Sequence, residues 1–115
     1  MPELLELTEH TLSEKLAEDI TVIDMRGVNP FTDYFVIATA KNLRHAAGLA
    51  TEVIKEAQKN GYDVRTQEGS EGSSWILIDL KDVIVHIFTE DARHQYKLEN
   101  LWSDQPITHY EESKQ

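Results

Sequence analysis

Two ionisable residues on what read as neighbouring strands, Asp79 and His86, are where this 115-residue chain comes nearest to a reactive pair. They fall within WILIDLKDVIVHIF, residues 75–88, which reads as a β-hairpin with Lys81 and Asp82 as its two-residue connection. In that register Leu80 opposes Val83, Ile78 opposes Val85 and Ile76 opposes Ile87, so one face is wholly aliphatic. The other face carries Trp75 beside Phe88, Leu77 beside His86 and Asp79 beside Ile84, which leaves Asp79 diagonal to His86 at roughly 7–8 Å between backbones. A carboxylate beside an imidazole favours the protonated ring and orients it, the arrangement used in acid–base catalysis. No convincing nucleophile accompanies the pair, because Ser73 and Ser74 lie in the connection at the far end of the strand. The pair therefore reads as a polar fixture, giving an apolar patch one directional contact to a basic side chain of a partner. Lys-Asp lacks the glycine that favours a tight primed turn, and a slip of one residue would exchange the two faces.

Other side chains carry two readings each. Trp75 is either a core aromatic under a helix or an interface anchor, the residue type most enriched at binding hot spots. Arg44 and His45 fall in the first turn of a helix, at the positive end of its dipole, where a cation costs about 0.3–1 kcal/mol. They either hold a carboxylate of another chain or form a solvated pair. Tyr96, Leu98, Leu101 and Trp102 anchor a last helix against the sheet, but they spread too widely around it for all to be buried, and Tyr96 is assigned to the surface patch. The candidate partner-binding residues are thus Arg44, Trp75, Leu77, Asp79, Ile84, His86, Phe88 and Tyr96. The five histidines show no metal-ligand spacing, and neither a metal nor a cofactor is expected. Two-metal nucleotidyl transfer needs paired carboxylates at alternate strand positions, and Asp79 stands alone, with Asp82 three residues on and on the opposite face.

The elements that must position these residues are legible from periodicity and punctuation. Leucines 5, 12 and 16 define one face of a first helix over residues 4–17, ahead of a β-branched strand at 20–23. Gly27 and Asn29-Pro30 mark a loop before a second strand at 33–40. Asn42 caps a second helix over 43–60 with an apolar stripe at Ala46, Ala50, Val53 and Ala57 and a stop at Gly61. Residues 62–68 form a polar strand suited to a sheet edge, and GSEGSS, 69–74, reads as a flexible connection into the hairpin. Thr89 caps the third helix. The order α-β-β-α-β-β-β-α predicts a single α/β (α+β) domain with a mixed sheet, in which strand two, helix two and strand three form a parallel crossover and the last three strands an antiparallel meander. Residues 1–102 make up the domain, and 103–115 read as an acidic, loose tail.

Twenty-one acidic residues against eleven basic ones give a formal charge of −10, which opposes binding to nucleic-acid phosphates and assists encounter with a basic protein. The absence of cysteine excludes disulfides and thiolate metal sites and is compatible with a reducing cytoplasm. Neither a secretory signal nor a membrane span is expected from the N-terminal residues.

TDYFVIATA, then Arg44-His45, then EGSEGSSWILIDLKDVIVHIF, then TEDARHQYKLENLW resembles the ribosomal silencing factor, or Iojap-like, family over roughly residues 4–102. The family pattern falls on Thr32-Asp33, Arg44-His45, Glu68-Gly69, Trp75, Asp79, Val85-His86, Tyr96, Leu98, Glu99 and Leu101-Trp102. At Leu80-Lys81, where many members have an aromatic residue and then glycine, this chain departs from it. The resemblance implies a compact fold related to nucleotidyltransferases without their catalytic carboxylates. It also implies a non-enzymatic, cytoplasmic translation repressor that docks on the fourteenth protein of the large ribosomal subunit and blocks joining of the small subunit, with a homodimer when free. The alternatives are a small enzyme of nucleotidyltransferase fold built around Asp79 and His86, and a homodimeric module with another partner.

Overall fold

The computed structural model describes residues 3–110. Helix α1 (Glu3–Glu14) leads to β1 (Glu18–Asp24) and β2 (Tyr34–Ala40), α2 (Leu43–Lys59) leads to β3 (Thr66–Glu68), β4 (Trp75–Asp79) and β5 (Val83–Thr89), and α3 (Glu90–Tyr96), a one-turn α4 (Leu98–Leu101) and β6 (Ile107–His109) follow. The strands form one mixed sheet in the order β3-β4-β5-β2-β1-β6, parallel only where β2 meets β5. Expected and observed architecture agree in class and differ in two strand relationships.

The first concerns how far the crossover reaches. Strand β3 runs parallel to β2, as the crossover requires, but β4 and β5 lie between them, and β5 is the parallel neighbour of β2. The physical reason is burial. All of β3 is exposed, which suits it only to the edge, whereas β5 is buried over most of its length and needs neighbours on both sides. The expected meander of β3, β4 and β5 is present, and β3 is the predicted edge. The second difference is β6, inside the segment read as a loose tail: Ile107 pairs with Ile23 and His109 with Thr21 of β1. Three residues are too few for periodicity to reveal a strand. The remainder of the expected tail, 111–115, lies outside the described residues.

Helices α1 and α2 cover one face of the sheet. Leu4 and Leu12 of α1 and the stripe Ala46, Leu49, Ala50, Val53 and Ala57 of α2 are buried against Ile76, Ile78, Leu80, Val83, Val85 and Ile87 of the hairpin. Asn42 caps α2 by accepting the His45 backbone N–H at 2.8 Å. The face of α1 is not the predicted 5-12-16 set, since Leu16 is exposed and left-handed at φ 69°. Thr8 and Thr11 are buried there instead, because each hydroxyl donates to the carbonyl four residues back, Leu4 and Leu7, at 2.8 Å.

On the opposite face Ile23, Met25, Ile37, Phe88, Ala92 and Leu98 form a smaller core, flanked by Phe35, Trp75, Trp102 and Ile107. The predicted third helix is broken here. Lys97 adopts the left-handed conformation at φ 47° and separates α3 from α4, so Leu98 turns inward while Leu101 is 70% exposed. Thr89 occupies the N-cap position of α3 without a side-chain capping bond.

Candidate partner-binding surface

The hairpin has the predicted register: Trp75 faces Phe88, Leu77 faces His86 and Asp79 faces Ile84. Lys81 and Asp82 make the connection, with Leu80 N–H donating to the Val83 carbonyl at 2.9 Å. The turn is closed without glycine by placing Lys81 at φ 78° and by letting Asp79 Oδ1 accept the Lys81 N–H at 2.8 Å. That bond overturns the expected Asp79–His86 pair. Asp79 serves the turn, since a backbone N–H two residues on is nearer than an imidazole a diagonal step across the sheet.

His86 is paired with Trp75 instead. The indole Nε1–H donates to His86 Nδ1 at 3.2 Å. Because indole is only a donor, Nδ1 must be the unprotonated nitrogen and His86 is the neutral Nε2–H tautomer. The ring is 4% exposed, and burial pushes its pKa down to about 4. Its Nε2–H has no hydrogen-bond partner among the described residues. The Phe35 ring centroid lies 4.9 Å away, an aromatic wall in place of an acceptor. A buried, neutral imidazole whose free nitrogen is a donor cannot act as a general base at neutral pH.

The eight expected site residues therefore fall in three places. Trp75, Leu77, Asp79 and Ile84 are half-buried on the open part of the second face, and Tyr96, 47% exposed, lies beside them with its ring 4.7 Å from Trp75. His86 and Phe88 lie beneath this surface, not on it, and hold Trp75 from below; the Trp75 and Phe88 centroids are 4.9 Å apart. Arg44 is exposed at the start of α2, in the layer covering the opposite face, and is not gathered with the others. Its neighbour His45 is engaged within the chain: Nδ1 accepts the Lys41 N–H at 2.9 Å and Nε2–H donates to the Lys15 carbonyl at 2.8 Å. Of the two readings of Arg44 and His45, neither a carboxylate of another chain nor solvent is needed to partner the His45 ring.

The route into Trp75 is a hydrogen-bonded turn. Ser70 N–H donates to Ser73 Oγ, Ser73 N–H donates back to the Ser70 carbonyl, and Gln67 donates to the Gly69 carbonyl. Gly69 has φ 85°, and a Cβ there would lie 2.7 Å from the Trp75 carbonyl oxygen, so only glycine fits.

Sequence reasoning missed Arg93. Its guanidinium donates to Glu99, to the Asp19 carbonyl and to the hydroxyls of Thr21 and Thr39, at the base of a cavity of about 350 Å³. Burial pushes the Glu99 carboxyl upward, but the Arg93 hydrogen bonds, its own backbone N–H and the charges of Arg93 and His109 leave it below its ordinary value. The sequence carries no pair signal, since residues six apart on one continuous helix lie on different sides; only the break at Lys97 brings Arg93 and Glu99 together.

These features define a small mixed α/β domain offering an aromatic surface. Among the described residues no group of three or more His, Cys, Asp or Glu could hold a metal, and no helix is long and apolar enough to cross a membrane. The whole chain, residues 1–115, matches the family described as ribosomal silencing factor during starvation. The ribosomal silencing factor RsfS of Halalkalibacterium halodurans is 38% identical over 109 residues, covering 95% of this chain and 93% of the relative. That of Bacillus subtilis is 38% identical over 104 residues, covering 90% and 88%. A crystal structure of a Bacillus halodurans protein superposes with a TM-score of 0.84 at 35% identity, covering 96% of this chain and all of that one. The chain belongs to the ribosomal silencing factor family. That family is named for silencing ribosomes, a regulatory activity and not an enzymatic one.

Proposed function

We propose that this protein represses translation in the cytoplasm by docking on the large ribosomal subunit through its fourteenth ribosomal protein and standing where the small subunit must join. The observation that carries the reading is the half-open aromatic surface: Trp75 and Tyr96 in contact, with Leu77, Asp79 and Ile84 beside them on a sheet face that α3 and α4 leave partly uncovered. A supported tryptophan with a tyrosine neighbour has the composition of a binding hot spot, and the rigid Phe88 and His86 floor lowers the entropy lost on docking. The formal charge of −10 favours encounter with a basic ribosomal protein. Steric exclusion requires no catalysis, only a standard interface of roughly 800 Å² on this side. In the absence of ribosomes, the same patch pairs two copies of the chain, so sedimentation of the free protein should show dimers that dissociate as large subunits are added.

Cosedimentation with purified large subunits tests the docking. Trp75→Ala should weaken binding by at least about 2 kcal/mol, roughly thirtyfold, and Tyr96→Ala should weaken it less. Both should relieve inhibition of subunit joining in proportion. Folded variants that still bind at the wild-type level would remove this surface from the mechanism.

A further inference from the structure

We infer that Arg93 positions the docking surface: by anchoring α3 to β1 and β2 on one side, it holds Tyr96 over Trp75 on the other. The inference rests on the docking role proposed for the Trp75–Tyr96 patch.

Little else fixes the orientation of α3. It has seven residues, its N-cap Thr89 supplies no side-chain bond, and α4 beyond it has four residues. Segments this short have no stability of their own, so tertiary contacts must set their orientation. The buried apolar anchors are Ala92 and Leu98. Alanine has no side chain long enough to resist rotation of the helix about its axis, and Leu98 lies beyond the left-handed break at Lys97.

Arg93 supplies the missing constraint. Its side chain is nine-tenths buried, and it makes five hydrogen bonds. Nη1 donates to the Asp19 carbonyl and, at 2.9 Å, to Thr39 Oγ1 of β2. Nη2 donates at 2.8 Å to Thr21 Oγ1 of β1 and to Glu99 Oε2 of α4, and Nε donates to that same oxygen at 3.1 Å. The planar fork thus fixes a direction as well as a distance, which a lysine cannot do. The acceptor at Asp19 exists because β1 is irregular there: the register shifts between Glu18 and Thr21, and Asp19 is left-handed at φ 54°.

Tyr96, one turn along the same side of α3, makes its contacts on the other half of the sheet. Its ring meets Trp75 of β4 at 4.7 Å and Phe88 of β5 at 6.0 Å. In the strand order, β4 and β5 lie on one side of β2 and β1 on the other. The short helix is therefore tied to β1 and β2 through Arg93 and to β4 and β5 through Tyr96, so the clamp on one side chain sets the place of the other. Loss of the clamp leaves the fold its larger core, under α1 and α2, but lets the ring wander from the tryptophan it covers.

The test is a double-mutant cycle on affinity for purified large ribosomal subunits, with circular dichroism confirming each fold. Arg93→Lys keeps the charge and loses the fork; it should weaken binding by about tenfold in the wild type but by less than about twofold in a Tyr96→Ala background, because the residue it positions is then gone. In NMR spectra of Arg93→Lys, the ring contacts between Tyr96 and Trp75 should weaken. Equal losses in both backgrounds, or unchanged affinity in the folded Arg93→Lys protein, would overturn the inference. If Arg93→Lys does not fold, Glu99→Gln, which weakens one arm of the clamp, carries the same cycle with the same criteria. Should Tyr96→Ala alone leave binding intact, the docking proposal fails instead, and the ring contacts still report whether Arg93 sets the position of Tyr96.

Discussion

The two faces of the sheet use the same alternating strands and reach opposite states. Toward α1 and α2 the hairpin presents Ile76, Ile78, Leu80, Val83, Val85 and Ile87, all buried, with no ionisable group among them. Toward α3 and α4 it presents Trp75, Leu77, Asp79, Ile84, His86 and Phe88, where half-buried aromatic and aliphatic groups surround a buried imidazole. A seventeen-residue helix with an alanine-rich stripe can lie flat and close against a β-branched surface; a seven-residue helix and a single turn cannot cover an equal area. On the docking role proposed above, stability and recognition are divided between the faces, one closed for packing and the other left partly open around a buried imidazole whose Nε2 has no partner among the described residues.

This division can be broken most forcefully from the closed side. Ile78→Ala should lower unfolding free energy by about 3–4 kcal/mol in urea titrations, while the protein that remains folded binds large subunits as before. Loss of affinity in the folded fraction would show that the faces are coupled. On the open side, His86 titrates near pH 4 when folded and near its ordinary value when unfolded, so the unfolded chain takes up its proton first as the pH falls. The stability tied to a neutral His86 is complete above about pH 6.5 and is lost by about 3 kcal/mol as the pH falls to about 4. Comparing denaturation of the wild type with His86→Gln across that window isolates this share, and parallel pH curves would contradict it. The smallest effect is at the turn between the faces. Lys81→Gly relieves a left-handed lysine and should raise stability by about 0.5–1 kcal/mol, read as a higher Tm, without changing docking.

Much of this was legible without coordinates. The hairpin register is expected from placing Lys81 and Asp82 in the turn, with a slip that would exchange the faces left open, and the pairing of β4 with β5 has the expected register. Helix α2 followed from its Asn42 cap and small-residue stripe, and the edge position of β3 from its polarity. The candidate site was read less completely. Trp75, Leu77, Ile84 and Tyr96 share a surface as expected, but Asp79 and His86 found nearer partners than each other, and His86 and Phe88 became support beneath it. Alternation assigns a side chain to a face without revealing how deeply later elements will bury it.

By itself, the order of residues determined what is local: that the strands alternate between an apolar and a mixed side, and where α2 begins. Membership of the family was likewise written in motifs distributed along it. Only the tertiary structure decided which strand lies beside β2, that β6 closes the far edge, and that Arg93 reaches from α3 to β1 and β2. Those relations join residues as many as 88 positions apart, such as Thr21 and His109. No periodicity spans such a distance. They are selected by competition among strands for buried neighbours and among buried polar groups for partners, and that competition is settled only when the whole sheet is assembled.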